Sequence, residues 1–156
     1  MIRLDRVVKI FNQDAPNEFA GINGVSLEIE KECITCFQGP SGSGKTTLLS
    51  LIGCLSRPTR GRITLENEML SGLPERFLAR VRQERFGFVF QQFNLIRGLT
   101  VMENIMLPAY PLGKDYGRLK QRAQDLMDRF SIAEKKKAVV ESLSGGEAQR
   151  AAICRA

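Results

Sequence analysis

The segment that most restricts the fold of this chain is Gly39-Pro40-Ser41-Gly42-Ser43-Gly44-Lys45-Thr46, which fits the pattern G-x-x-x-x-G-K-[ST]. Its flanks matter as much as its letters. Cys33-Ile34-Thr35-Cys36-Phe37 before it is a continuous apolar run of strand length, and Lys45 to Ile52 after it has helical spacing. Strand, glycine loop and helix in that order predict an α/β fold. Glycines let the backbone wrap with its N–H groups turned toward phosphate oxygens, and the helix start adds a favourable dipole. In such a loop Lys45 reaches the β- and γ-phosphates, the Thr46 hydroxyl is placed for Mg²⁺, and Thr47 follows in the first turn. A Ser/Gly-rich linker matching by chance leaves the strand and the helix unexplained. The loop alone leaves GTPases, nucleotide kinases, helicases and transport ATPases open.

The rest of the chain reads around that unit. Residues 2–10, 25–29 and 62–66 alternate apolar and polar and predict a small antiparallel layer. Pro74 opens a charged helix to about Glu84, and Phe86-Gly87-Phe88-Val89-Phe90 reads as a second buried strand. Beyond Gln91 the pattern turns helical at Thr100 to Met106, at about Gly117 to Phe130, and from Gly145 onward. The division expected is therefore 1–91 for the β layer and core, 92–142 for a helical subdomain, and 143–156 for a last motif and its helix.

Composition excludes some chemistry. There is no histidine in the 156 residues, so no imidazole metal site, triad or acid/base pair can be built from them. The four cysteines, Cys33, Cys36, Cys54 and Cys154, are expected as small buried hydrophobes, because Cys33 and Cys36 would point to opposite faces of a strand. A net charge of +6 suits phosphate, nucleic acid or lipid headgroups and selects none of them. Met1 to Lys9 alternates charge and hydrophobe, unlike a secretory signal. The longest apolar stretch, Leu48 to Leu55, is broken by Ser50 and Gly53 and is short of the roughly 20 residues that span a bilayer. The expected location is the cytoplasm.

A second motif narrows the choice. In Leu143-Ser144-Gly145-Gly146-Glu147, Ser144 and Glu147 have capping-box spacing, yet two glycines occupy the first turn, where they weaken a helix. Bare backbone there suits close approach to a ligand, and an ordinary capped helix is the alternative.

Leu143 to Glu147 followed by Ala148-Gln149-Arg150 resembles the signature motif of ATP-binding cassette (ABC) ATPases, and Phe88-Val89-Phe90-Gln91-Gln92-Phe93-Asn94-Leu95 resembles their Q-loop. With the phosphate loop, these make three motifs in the family's order. Ile52-Gly53-Cys54-Leu55, Arg57-Pro58-Thr59 and Glu103-Asn104-Ile105 look most like the subfamily of lipoprotein-releasing and macrolide exporters. The resemblance implies a phosphate-loop NTPase core with an antiparallel layer and a helical subdomain. It implies ATP and Mg²⁺ as ligands, Phe11 stacked on adenine, residues 39–47 on the triphosphate, and Thr46 and Gln91 at the metal. It further implies that Ser144, Gly145, Gly146 and Glu147 close over nucleotide held by a second subunit, and that the helical lobe meets a membrane-spanning partner. Nucleic acid is not an expected partner. Lys135-Lys136-Lys137 reads as a solvated helix end.

Departures from the family pattern are Ala148 for a common Gln, Ala151 for a common Val, and Lys31-Glu32 at a turn that often carries Gly. The family's Walker B aspartate, catalytic glutamate and switch histidine have no counterpart before Ala156. The expectation is a truncated cassette that binds nucleotide, hydrolyses it poorly and is not a stable monomer. A soluble cassette acting on nucleic acid and a non-catalytic regulatory module are the alternatives.

Overall fold

The computed structural model describes residues 1–113 and 115–156. They form two compact units, Met1–Arg85 and Phe86–Ala156.

The first unit is built on a sheet of order β2-β1-β3-β4. β1 (Ile2–Phe11) lies centrally, pairing antiparallel with β2 (Phe19–Ile29) on one side and β3 (Arg60–Leu65) on the other; β4 (Glu68–Met69) pairs with β3. The antiparallel layer expected from alternation is present, and β2 begins six residues earlier than the pattern at 25–29 suggested. Strict alternation would put Leu4 and Val7 on opposite faces, yet both are buried. An irregularity between them reconciles this: Arg6 adopts a left-handed φ of 46° and its N–H donates to Ser26 Oγ at 2.9 Å. Glu66 and Asn67, both left-handed, make the two-residue hairpin turn from β3 to β4. The core of this unit contains Leu4, Val7, Ile63 and Leu70 with Leu51 of α1 (Lys45–Ile52) and Leu78 of α2 (Glu75–Arg85). Pro74 precedes α2 as expected, and Arg82 fastens the helix, donating to Glu75 at 2.6 Å and to the Cys54 carbonyl at 2.8 Å.

The second unit is helical. α3 (Val101–Met106), α4 (Tyr116–Arg129) and α5 (Gly145–Arg155) surround a cluster of Val101, Ile105, Met106, Ala123, Met127, Ile132, Val140, Ala151 and Cys154. Ala151, smaller than the family's usual Val, is fully buried there. Turns of tight helix at Leu107–Leu112, Ala133–Lys135 and Val140–Ser142 connect the long elements.

Two expected strands are not strands. Neither Cys33–Phe37 nor Phe86–Phe90 belongs to a ladder among the described residues, and Ile34, Val89 and Phe90 are exposed. A strand exists only through a hydrogen-bonded neighbour, and the sheet described pairs β1 to β4 alone. The cysteine expectation is corrected with it. Cys54 and Cys154 are buried, but Cys33 and Cys36 are exposed, the segment that carries them being unpaired with any strand among the described residues. At the turn where the family often places Gly, Glu32 takes a left-handed φ of 62°.

Candidate functional site

The glycine loop, residues 39–44, leads directly into α1. Gly44 is the N-cap, at φ 87°, and a Cβ there would come within 2.6 Å of the Gly21 carbonyl oxygen and 2.9 Å of Ile22 Cδ1. Only glycine satisfies both the left-handed backbone and that approach to β2. Because Gly44 has no side chain, no side chain caps α1, and the first turn contains no acidic residue. The first N–H groups of the helix thus remain donors for an outside acceptor. Lys45 arches back over the loop, its Nζ donating to the carbonyls of Gly39 (2.9 Å) and Pro40 (2.7 Å) and to Ser43 Oγ (3.2 Å). A further loop contact, Ser43 N–H to the Pro40 carbonyl at 3.3 Å, closes a turn. One ammonium with three donors therefore gathers the mouth of the loop. Ser41 and Gly42 are exposed at its tip, Thr46 is exposed one residue into α1, and Thr47 is half-buried.

Phe11 at the end of β1 lies beside this assembly. A Cβ on Gly21 would meet the Phe11 ring edge at 2.6 Å and Thr47 Cγ2 at 3.6 Å, so ring and helix start flank one point of β2. Phe11 stacks on Phe19 (centroids 5.1 Å, planes 19° apart), and Lys9 Nζ stands 5.3 Å from its centroid. Phe19 is an aromatic that sequence reading passed over. Its signal is the cross-strand register, Phe11 opposite Phe19, which becomes visible only once β2 is extended to residue 19.

The second unit carries the other two motifs. Gln91 is exposed in a turn whose next residues, Phe93 and Asn94, are both left-handed (φ 58° and 48°). At the start of α5, Ser144 is the N-cap of a complete capping box. Its N–H and hydroxyl donate to Glu147 Oε2 at 2.8 and 2.7 Å, and its Oγ accepts from the Glu147 N–H. Gly145 and Gly146 are exposed, so this stretch of backbone is bare as expected. Lys135, read from sequence as part of a solvated cluster, pairs instead with Glu147 Oε1 at 3.2 Å. No spacing rule connects residues 135 and 147, and only the fold brings them together.

The Ser144 N–H, its hydroxyl and Lys135 hold the Glu147 carboxyl at about 2, well below its ordinary 4.5. A lowered carboxylate contributes stability that is complete above the unfolded value and is lost as pH falls toward the folded one. The helicity of α5 is therefore expected to decline between pH 4.5 and 2, and Glu147→Gln, which does not titrate, should flatten that decline. Superimposable acid profiles of the two proteins would reject this role for the box.

An uncapped helix behind a glycine loop, a lysine folded over it and an aromatic beside it can receive an oligophosphate bearing a planar base. These features define a phosphate-loop nucleotide-binding fold. Comparison with known proteins agrees: the ABC transporter family model matches residues 22–156. An uncharacterized ABC transporter ATP-binding protein of Thermotoga maritima is 42% identical over 135 residues, 86% of this chain and 58% of that protein. The lipoprotein-releasing system ATP-binding protein LolD 1 of Rhodopseudomonas palustris is 36% identical over all of this chain and 70% of its own length. Among solved structures, the dimeric bacterial ABC transporter cassette MJ0796 superposes with a TM-score of 0.91 at 34% identity, covering 99% of this chain and 68% of that one. The chain belongs to the ABC transporter family, and it spans 58% and 70% of the two relatives' lengths. Among the described residues no helix is long and apolar enough to cross a membrane.

Proposed function

We propose that this chain is the nucleotide-binding part of a transporter ATPase. In this reading, residues Gly39 to Thr47 cradle the triphosphate of ATP, Phe11 stacks on adenine, and Thr46 with Gln91 meets Mg²⁺. Mg²⁺ would neutralise charge between the phosphates when bound. Ser144, Gly145, Gly146 and Glu147 serve nucleotide held by a second copy in a head-to-tail dimer. The helical unit faces a membrane-spanning partner, which places the chain at the inner face of the membrane. The division into 1–91, 92–142 and 143–156 follows these roles.

The observation that carries the reading is Lys45 gathered over the loop at the start of a helix without a capping side chain. An ammonium there exchanges two carbonyls for phosphate oxygens with little rearrangement. The MJ0796 cassette, which is dimeric, also has a post-hydrolysis structure bound to ADP and Pi, which supports nucleotide as the ligand and pairing as the working state. Nothing in these 156 residues matches the family's water-orienting glutamate or its switch histidine, so the proposed activity of this stretch is binding with little turnover.

Titration of the 156-residue chain with MgATP is expected to show saturable binding displaced by ADP and not by inorganic phosphate, with turnover far below that of complete cassettes. Absence of saturable binding up to millimolar MgATP would reject nucleotide as the ligand. Brisk hydrolysis would reject the limit placed on activity.

A further inference from the structure

The turn that carries Gln91 is held by its backbone from two helices of the same unit. Arg155, the last residue of α5, donates Nη2 to the Phe93 carbonyl at 2.8 Å and Nη1 to the Asn94 carbonyl. Those carbonyls belong to the two left-handed residues, so the guanidinium fork holds the turn at its most unusual backbone. Two residues on, Asn104 of α3, fully buried, grips Ile96 in both directions. Its Oδ1 accepts the Ile96 N–H at 2.7 Å, and its Nδ2 donates to the Ile96 carbonyl at 3.1 Å. The turn therefore cannot swing without breaking contacts to α3 and α5.

We propose that Arg155 is a positioning residue for Gln91. It fixes the turn to the C-terminal end of α5, the helix whose first turn is Gly145, Gly146 and Glu147. A displacement of α5 along its axis then moves Gln91 with it, so the two motifs of this unit are joined through one rigid helix. The functional side of this proposal rests on the reading of Gln91 as a Mg²⁺ contact.

Three variants of the 156-residue chain, Arg155→Gln, Arg155→Lys and Gln91→Ala, test it with two readouts. The first is amide exchange. The Phe93 and Asn94 N–H groups bond within the turn, to Phe90 and Gln92, whereas the Ile96 N–H bonds to Asn104. Arg155→Gln is expected to accelerate exchange at Phe93 and Asn94 about tenfold or more and to leave Ile96 unchanged; Arg155→Lys, which keeps the charge on a single nitrogen but loses the planar fork, should fall between. Unchanged rates at Phe93 and Asn94 overturn the proposal. So does equal acceleration at Ile96, which would mark a general loosening of the unit. If Arg155→Gln does not fold, the same comparison on Arg155→Lys decides.

The second readout is the ratio of ATP affinity with and without Mg²⁺. Gln91→Ala and Arg155→Gln should lower it by the same several-fold factor, and the double variant should lower it no further. A loss with Gln91→Ala but none with Arg155→Gln overturns the positioning role. No change with Gln91→Ala removes the reading of Gln91 alone, and the exchange rates still decide whether Arg155 holds the turn.

Discussion

Replacing Lys45 with alanine is expected to lower MgATP affinity about a hundredfold or more while leaving the thermal midpoint nearly unchanged. Each charge-assisted hydrogen bond from an ammonium to phosphate is worth about 1.5–3 kcal/mol, and tenfold in affinity is about 1.4 kcal/mol. Two such bonds would give about 3–6 kcal/mol, roughly a hundredfold to ten-thousandfold, but Lys45 leaves the Gly39 and Pro40 carbonyls to reach a ligand, so part of the gain is an exchange of partners. Those carbonyls lie at an exposed loop and water replaces the lysine there, which is why the fold should tolerate the change. Lys45→Arg is not a rescue, since a planar fork does not fit the point-charge position over three loop acceptors. Calorimetric titration with circular dichroism as a control on folding measures both quantities, and affinity within a few-fold of wild type would contradict the assignment.

The largest stability effect is expected at Asn104. Its amide is fully buried and satisfies both backbone groups of Ile96, as a neighbouring strand would. Asn104→Ala leaves that N–H and C=O without the partner at about 1–3 kcal/mol each, offset where water reaches the loop, for a loss of about 2–4 kcal/mol. In a unit of this size that corresponds to a drop of roughly 10–25 °C in the melting midpoint. Asn104→Asp should be at least as damaging at neutral pH, because it sets a carboxylate against the Ile96 and Thr100 carbonyls that the amide now serves. Thermal melts of the two variants check this, and a midpoint within a few degrees of wild type in both would show that the buried amide is dispensable.

How far the sequence could be read depended on how local each feature is. The glycine loop, α1 to α5 and the Ser144–Glu147 box depend on spacing within a few residues, and all of them lie where the pattern places them. Thr100 and Glu103 form a second capping box with the same spacing, open to the same reading. The segments at Cys33–Phe37 and Phe86–Phe90 failed as strands for the opposite reason: an apolar run predicts burial, but a strand also needs a paired neighbour distant in sequence, and among the described residues neither segment has one. Glu147 with Lys135, and Asn94 with Arg155, are likewise long-range partners. Asn104 did leave a trace in the sequence. It is a polar residue on the stripe occupied by Val101 and Ile105, and such a residue is buried only when its amide finds backbone partners.

The pairing of Lys135 with Glu147 has a consequence for how the helix starts differ in charge. The first turn of α1 carries Lys45 and no acid, that of α3 carries Glu103 with no cation bound to it among the described residues, and that of α5 carries Glu147 already joined to an ammonium. These starts run positive, negative and neutral, so an incoming polyanion is attracted by one, repelled by another and met without repulsion by the third. Lys135 offsets the charge of Glu147 at the glycine-bearing start, and an acidic residue in its place would leave that end of α5 repelling a polyanion.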